Sequence, residues 1–539
     1  MLVTAFRNGE LGDPGSSFST SMMQKVYTTA TFRHALLDTF KLAVSVSILA
    51  TAIGAVLAWL VNRTDAPLAK WMGLFVIAPL FASPFLGAVA WQILGSPNVG
   101  LINEAVRLLP GVSGSYHLVN INTLPGIIFV QTVYYIPYSY LFIVGSITNM
   151  DPGLEEASAI NGGGIFRTAT RVTFPIIRPA VLSALFFIFI LSADEFAIPD
   201  ILRPDIKFNP LSVVVYQFAQ SFPINLPGSA AAGTMLLILT VLGMILYSRA
   251  TRASNRFVTV TARGFRQRRI SLGPWRWLGT IVCCFYLLIA IILPYASLLY
   301  SAFTRYLTPN ILKAHYTASQ VQSLVTSSPV LSAMKNTVIV AVIAPTICGL
   351  LALCIGYTTR RLRYRGSSIL TALGTLPVAV PGIVFGTGML LFYIHTPLYG
   401  TISVIVIAFI ALYLPQALRV TETGLSQIDP ALEESSAVCG ASIGQTLLRI
   451  TGPLLRPSLL SVWILVFIYA TREISAAVML YGPDSTVLSV MTFSYLATGN
   501  TQNAAIIGLL QTLIMIVGIV VARFVLRVRL TSQVQKGGV

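Results

Sequence analysis

Four ionisable residues interrupt two apolar stretches at matching places. Asp194 and Glu195 lie in FILSADEFAIPD, and Arg472 and Glu473 lie in FIYATREISAAVML. The first residue of each pair follows an Arg-Pro sequence by 15 positions. Charged side chains inside a membrane are costly and often line the path of a solute, so these four are candidate substrate-path residues. The alternative is that they reach the outer interface or pair structurally. Three acids against one base favour a cationic solute.

Several kinds of chemistry have no counterpart in the sequence. It contains no G-x-x-x-x-G-K-[ST] loop to hold ATP phosphates, no H-E-x-x-H motif and no Cys/His zinc spacing. Clustered catalytic residues at one membrane face are also missing. We therefore predict no metal site, no cofactor and no enzymatic activity, and we expect energy to come from a separate chain or from an ion gradient.

A charged stretch of sequence occurs twice in the chain. The segment 151–179, DPGLEEASAINGGGIFRTATRVTFPIIRP, aligns without a gap to 429–457, DPALEESSAVCGASIGQTLLRITGPLLRP, with 15 of 29 positions identical. Each copy begins with Asp-Pro, which suits a helix N-cap followed by the first helical position. Each copy therefore predicts a short amphipathic helix, a glycine stop and a second short helix that ends at a proline, lying across one membrane face.

The candidate residues of this duplicated loop occupy equivalent positions. Acids fall in the first turn, where the helix dipole favours them, and small residues follow that permit close approach of a partner surface. The residues are Glu155, Glu156, Ala157, Gly162 and Pro175 in the first copy, and Glu433, Glu434, Ser435, Gly440 and Pro453 in the second.

The composition indicates a membrane protein. Of 539 residues, 55% are hydrophobic and only 10% are charged, whereas a soluble domain carries about 25% charge. Runs of about 20 apolar residues predict spanning helices. We predict eleven: 36–61, 71–95, 123–147, 179–200, 229–249, 277–300, 334–358, 367–394, 401–424, 457–481 and 504–526. The fold class is therefore an all-α polytopic membrane protein with no secretory signal pattern.

The distribution of basic residues predicts the orientation. Lys and Arg concentrate in short loops and in a basic stretch at 248–276, which suits the positive-inside rule better than nucleic-acid binding despite a net charge of +17. This orientation places both copies of the duplicated loop in the cytoplasm and the N-terminus outside.

An internal repeat defines the predicted domains. We predict a first transmembrane half at 1–250, a basic linker at 251–276 and a second half at 277–539, with five and six spans. The opening residues MLVTAFRNGE resemble LLYSAFTRYL at 298–307, at the end of the sixth span. We therefore expect that the first half has lost its first helix, either because the start codon is assigned too late or because this half works with five spans.

The duplicated loop resembles a family signature. The pattern E-A-A-x3-G-x9-I-x-L-P is that of permease subunits of type I ATP-binding-cassette importers, and here it corresponds to Glu156-Ala157-Ser158, Gly162, Val172 and Pro175. The second copy corresponds to Glu434-Ser435-Ser436, Gly440, Ile450 and Pro453, with Gly452 where leucine is usual. The resemblance implies that each loop is a coupling helix that docks on a separate ATPase subunit.

The resemblance also implies partners and a location. It implies an ATPase homodimer on the cytoplasmic side, an outer substrate-binding protein and a multi-pass position in a bacterial inner membrane. A fused double-length chain with EIS at 473–475 resembles ferric-iron importers, so the expected substrate is iron(III). The alternatives are a polyamine, thiamine or a phosphonate. A secondary transporter remains a rival class, but such proteins need no matched loops of this form.

The charges within the spans generate a first prediction. We expect Arg472 to offset Asp194 or Glu195 across the two halves. Reversing the charge with Arg472→Glu should impair transport, and adding Asp194→Arg should partly restore it, because the second reversal rebuilds an opposite-charge pair. Solute uptake by the single and double variants measures this, and additive losses in the double variant would count against the pairing.

Overall fold

The fold is helical throughout the part of the chain that can be described. The computed structural model describes residues 1–7, 17–112, 116–148, 150–151, 153–203, 207–254, 273–305, 314–362 and 366–525. Within these ranges no named strand is present, and the β-bridges with both partners described are the isolated antiparallel pairs Arg7↔Phe18 and Thr304↔Tyr316. The predicted all-α fold class is confirmed.

Thirteen α-helices are described before the basic stretch. They are α1 (Leu2–Ala5), α2 (Ser21–Thr28), α3 (Ala30–Arg63), α4 (Ala69–Ile77), α5 (Pro84–Gly95), α6 (Leu101–Arg107), α7 (Leu124–Thr148), α8 (Gly153–Ile160), α9 (Ile165–Thr168), α10 (Phe174–Asp194), α11 (Ala197–Leu202), α12 (Leu211–Gln220) and α13 (Leu226–Ser254).

Thirteen more are described after it. They are α14 (Arg276–Leu287), α15 (Leu293–Phe303), α16 (Ser319–Val325), α17 (Ser328–Tyr357), α18 (Ser367–Thr375), α19 (Gly382–Tyr393), α20 (Ile402–Ser426), α21 (Pro430–Val438), α22 (Ile443–Thr446), α23 (Gly452–Arg472), α24 (Ala477–Leu480), α25 (Leu488–Ala497) and α26 (Thr501–Val525).

Short 3-10 and π segments complete the helical elements. The 3-10 turns are Ala78–Phe81, Gly273–Trp275 and Leu376–Ala379. The π-turns are Ala169–Thr173, Leu288–Ile292, Thr358–Leu362 and Leu447–Thr451. Several of them join two α-helices into one longer rod, such as Ala169–Asp194 and Arg276–Phe303.

The predicted number of spans is matched, but two of the spans are not straight. Nine helices in the described residues are long and apolar enough to cross a membrane, and two bent pairs raise the total to eleven. The segments predicted as continuous at 71–95 and 367–394 are these bent pairs. Their two parts meet at 94° and 110°.

Proline explains both bends. Pro84 begins α5, and Pro381 is the N-cap of α19. A proline has no N–H to donate, and it disfavours helical geometry in the preceding residue. Accordingly Ser83 has ψ 121° and Val380 has ψ 118°, both extended. A hydropathy window cannot register such a bend because the residues on both sides are equally apolar.

Two other predicted spans need new boundaries. The spans predicted at 179–200 and 457–481 begin earlier, at Ala169 and Ile443. They end at Asp194 and Arg472, where an extended residue separates the span from a short helix. The Arg-Pro sequences lie inside these rods rather than at their start, and Pro179 and Pro457 are interior residues of α10 and α23.

The described chain divides into two compact units. The first comprises Met1–Ser323 with Tyr495–Ile506. Its core surrounds α3 and α7, with Leu57, Ile127 and Tyr134 almost fully buried. The two helices approach closely at Gly54, where the hydroxyl of Ser139 donates to the carbonyl oxygen of Ala50 at 2.7 Å. Small residues at such a crossing allow the backbones to meet.

The second unit comprises Leu324–Ser494 with Ile507–Val539. In it α17 packs against α20 and α23. Phe467 fills the space above Gly518, and its core neighbours include Ala341 and Met515. At the other end of the same helices, a small cluster joins Tyr357, Leu425 and Leu455.

The structure repeats some of the internal homology. The bridge Arg7↔Phe18 has a counterpart in Thr304↔Tyr316, at the segments whose sequences resemble each other. The predicted domain boundaries stay a prediction. Most of the predicted linker, residues 255–272, lies outside the described residues.

The close crossing at Gly54 generates a prediction. A Cβ atom there would overlap the Ser139 side chain, so Gly54→Val should lower stability by about 3 kcal/mol or more through overpacking. Thermal unfolding of the detergent-purified protein measures the change. The matched control is Gly349→Val on α17, where no atom lies within 4 Å of the added Cβ. Equal losses at both glycines would contradict the packing explanation.

Candidate functional site

The helix in each copy of the duplicated loop begins as the sequence predicts. The Asp151 carboxylate accepts from the backbone N–H of Gly153 at 2.8 Å, and the Asp429 carboxylate accepts from that of Ala431 at 3.0 Å. Pro430 is the first helical residue of α21. The equivalent Pro152 lies outside the described residues. These caps satisfy N–H groups that a helix start leaves unpaired.

A glycine ends each loop helix. Gly162 has φ +75° and Gly440 has φ +81°, a left-handed conformation that glycine adopts without steric cost. The residue after each glycine donates a backbone hydrogen bond to the fifth residue before it, from Gly163 to Ser158 and from Ala441 to Ser436. This is the Schellman arrangement, and it makes both loops reverse at the same place.

Hydroxyl groups close the two loops on themselves. Ser158 and Thr168 share a hydrogen bond of 2.8 Å, and Ser436 and Thr446 share one of 2.9 Å. The threonines are almost fully buried. The duplicated sequence therefore forms duplicated local structure, and this Ser–Thr hydrogen bond is present in both copies.

The two acids of each loop face different ways. Glu156 is exposed, together with Ala157. Glu155 is only 7% exposed, and it lies 3.5 Å from the Arg63 guanidinium. The hydroxyl of Thr173 donates to the second oxygen of Glu155 at 2.6 Å. Glu155 is thus tied to the protein interior, although the sequence places it in the candidate docking surface.

The second copy repeats this arrangement. Glu434 and Ser435 are exposed. The carboxylate of Glu433 lies 3.4 Å from the guanidinium of Arg361 and accepts from the hydroxyl of Thr451 at 2.8 Å. Sequence reasoning missed the two arginines and the two threonines. The threonines are identical positions in the aligned copies. The arginines lie at the end of α3 and just beyond the end of α17, which correspond in the repeat, so the alignment carried the signal.

The prediction for Pro175 and Pro453 is wrong in one respect. They do not end a second short helix, because α9 and α22 continue through a π-turn into the spanning helices α10 and α23. The N–H of Phe174 bonds to the Ala169 carbonyl, five residues back. The proline follows this shift of register, where a missing N–H breaks no α-type bond that the helix depends on.

Glu195 stands where the first of the two matched spans breaks. Its backbone is extended, with φ −62° and ψ 118°. One carboxylate oxygen accepts from the Tyr135 hydroxyl at 2.9 Å, and the other accepts from the backbone N–H of Ala197 at 3.1 Å. Its carbonyl oxygen accepts from the Ser212 hydroxyl at 2.9 Å. Glu195 therefore caps the next helix, α11.

Glu473 has the same role in the second unit. Its carboxylate accepts from the Tyr413 hydroxyl at 2.6 Å and from the backbone N–H of Ala476 at 3.1 Å. Its carbonyl oxygen accepts from the Ser489 hydroxyl at 2.7 Å. The tyrosines come from YYIP and LYLP, which correspond in the repeat. These contacts give both glutamates a structural role at the ends of the two spans.

The neighbours of these glutamates differ in charge between the halves. Asp194 and Arg472 are the last residues of α10 and α23, and both are partly buried. The Arg472 guanidinium lies 5.0 Å from the centre of the Tyr469 ring, a cation–π contact within its own unit. The pairing of Arg472 with Asp194 or Glu195 involves both units and stays a prediction.

The Tyr413 contact generates a prediction about stability. Tyr413→Phe removes one donor from the partly buried Glu473 carboxylate, which should cost about 1–3 kcal/mol. The midpoint of thermal unfolding in detergent measures the loss. Tyr399→Phe is the control, because that side chain is 48% exposed. If both variants unfold at the wild-type temperature, the hydrogen bond does not support the span end.

Comparisons with known proteins agree with this architecture. A family model, the binding-protein-dependent transport system inner membrane component, matches residues 346–529. The chain is 26% identical over 510 residues to the ferric transport system permease protein FbpB of Actinobacillus pleuropneumoniae, covering 93% of this chain and 72% of the relative. It is 25% identical to the Fe(3+)-transport system permease protein FbpB 2 of Haemophilus influenzae, covering 70% and 72%.

Among solved structures, a bacterial ABC transporter for import of the acidic polysaccharide alginate covers 48% of this chain and 96% of its own, with 18% identity and a TM-score of 0.38. The matched family, the long relatives and the apolar helices all indicate a membrane protein of the transport-permease type. Residues 346–529 therefore match the family of binding-protein-dependent transport system inner membrane components, and the multi-pass chain is similar over most of its length to ferric transport permeases.

Proposed function

We propose that this permease imports iron(III), driven by a separate ATPase homodimer that docks on its two duplicated loops. An outer substrate-binding protein delivers the solute. The proposal includes two permease halves, 1–250 and 277–539, with the basic segment 251–276 between them in the sequence. ATP binding closes the ATPase pair and draws the loops together, which turns the path outward, and hydrolysis resets it.

The exposed face of each loop carries this proposal. In the first copy Leu154 is 47% and Ile160 is 86% exposed, on either side of the exposed Glu156. The matching residues of the second copy are Leu432 at 47%, Val438 at 89% and the exposed Glu434. An apolar surface on a charged loop that faces water is typical of a protein-binding site. The same pattern at both loops fits a partner that offers two binding grooves of the same shape.

The partner follows from this equivalence. Two copies of one surface on one chain match a partner that presents one groove twice, as a two-fold symmetric dimer does. Neither copy has a phosphate-binding loop, so the ATPase activity belongs to that partner. The small residues Ala157 and Ser435, together with the glycine turns at Gly162 and Gly440, leave room for a groove to close over the helix.

The substrate assignment rests on similarity and on charge. Two relatives that match most of this chain are described as ferric transport permeases. The ionisable residues at the matched span ends, Asp194, Glu195, Arg472 and Glu473, sum to a net negative charge, which suits a cationic solute. We propose that they border the path. The outer segments 202–228, 301–333 and 482–503 are the proposed contacts of the binding protein.

Other substrates fit the same machinery. A polyamine, thiamine or a phosphonate would use the same loops, so the loops do not distinguish them. An ion-gradient transporter is less compatible, because it has no use for two exposed docking faces. Co-purification in mild detergent separates these classes, since the permease should bring a stoichiometric ATPase subunit with it.

Uptake of radiolabelled iron(III) under iron limitation tests the proposal. Deleting the gene should abolish the high-affinity component of uptake. A chain with both Glu156→Lys and Glu434→Lys should restore less than a tenth of it and should fail to retain the ATPase. Like charges placed in an interface cost several kcal/mol, and each 1.4 kcal/mol is tenfold.

The control variant is Ser368→Lys, which adds a positive charge at an exposed position outside the loops. It should restore full uptake. If deletion leaves iron uptake unchanged while the ATPase still co-purifies, the substrate assignment is wrong and polyamine uptake is the next measurement. If no ATPase is retained by the wild-type chain, the coupling role is wrong.

A further inference from the structure

We infer that two polar clusters, the first buried and the second partly buried, transmit movement of the loops to the spanning helices. The first clamp is Arg63, Glu155 and Thr173, and the second clamp is Arg361, Glu433 and Thr451. These are positioning residues, since none of them lies on the exposed docking face. The inference rests on the proposed coupling function and names the residues through which the loop is attached to the membrane part.

The first clamp joins four segments of the chain. Arg63 is the last residue of α3 and is fully buried. One of its nitrogens lies 3.5 Å from the Glu155 carboxylate on α8, and another donates to the Ile147 carbonyl near the end of α7 at 2.9 Å. Thr173, at the start of the rod that becomes α10, donates to Glu155. Two spanning helices thus meet the loop at one carboxylate, and a third is tied to it through Arg63.

The second clamp is built in the same way. Arg361, beyond the end of α17, lies 3.4 Å from Glu433 and donates to the carbonyls of Leu425 at 3.1 Å and Ile428 at 2.6 Å. Leu425 lies in the last turn of α20. Thr451, which is fully buried, donates to Glu433. The same three helices of the repeat are again tied to one loop.

The two clamps have the same three residue types although the chain between the arginine and the glutamate differs in length. The arginine precedes its glutamate by 92 residues in the first half and by 72 in the second, so the connecting chain has a different length. The threonine follows its glutamate by 18 residues in both. The same three side chains therefore meet at the same point despite the altered chain length between the arginine and the loop.

The π-turns place the threonines. Ala169–Thr173 and Leu447–Thr451 each end on the clamp threonine. One extra residue in a turn rotates the following side chains by about 100° relative to an uninterrupted α-helix. Single π-turns of this kind are uncommon and are frequent at functional sites. Here the turn directs a hydroxyl group at the loop glutamate.

Polar ties suit a mechanical link better than apolar packing does. Apolar surfaces can slide past each other at little cost, whereas hydrogen bonds weaken steeply with distance and angle. A buried ion pair contributes little net stability compared with apolar residues of the same volume, so stability alone does not explain its presence. A loop pushed by the ATPase must therefore carry the ends of its three helices with it.

Two native cysteines offer a direct test. Cys354 on α17 and Cys439 at the end of α21 are both exposed, and both belong to the second unit. With the exposed Cys284 replaced by serine, spin labels on these two report the distance between α17 and the loop. Pulsed dipolar EPR is recorded on the full complex with the ATPase, without nucleotide and with ATP.

We expect the distance in the parent protein to stay the same when ATP is added, because loop and helix move together. In Thr451→Val and in Arg361→Lys the distance distribution should shift and broaden with ATP, while the ATPase co-purifies at the parent ratio. These mild substitutions are chosen because Arg361→Ala risks misfolding. An unchanged distribution in both variants, or an ATP-dependent shift in the parent, overturns the inference.

Arg360 provides the matched control. Its guanidinium makes an exposed ion pair with Glu422 at 2.8 Å, which links the same neighbourhood of α17 and α20 without touching the loop. Arg360→Lys should leave the EPR distances unchanged with and without ATP. A shift as large as that of Arg361→Lys would show that any disturbance of these helix ends has this effect. Failure of the wild-type chain to bind an ATPase would instead refute the proposed function.

Discussion

Backbone polar groups that leave a helix inside a membrane must find a partner within the protein, and this constraint governs the whole structure. The chain meets it with carboxylates at matched places. Glu195 and Glu473 accept N–H groups at or just before the start of the short helix that follows each span, and their own carbonyls accept from a serine. Each span can therefore end inside the apolar part of the protein, and a short helix can begin there at a new angle.

Carboxylates also hold the two duplicated loops against the rest of the protein. Glu155 and Glu433 face arginines of the protein and not the exposed side of the loop helices. They collect hydrogen bonds and an arginine from helices that are distant in sequence. The two adjacent acids face different directions because successive residues on an α-helix are about 100° apart around its axis, as Glu155 and Glu156 are. One faces the protein and the other faces the solvent.

Proline has two different effects in this chain. Pro84 and Pro381 separate bent helix pairs by about a right angle, because the residue before each is extended. Pro175 and Pro453 interrupt nothing, because a π-turn precedes each of them and the helix continues. Local sequence does not distinguish the two cases. The hydrogen bonds of the neighbouring residues decide whether the helix bends at a proline or continues through it.

The sequence by itself determined the class of fold, the approximate positions of the spans, the repeat and the loop helices with their caps. These depend on hydropathy, on Asp-Pro and glycine signals and on identity between two segments, all of which are local. Tertiary structure alone decided which acid of each pair faces the protein, that Tyr135 and Tyr413 bind the span-end glutamates, and that Arg63 and Arg361 reach the loops. Those contacts join residues 60 to 92 positions apart, and only the packing of whole helices brings such residues together.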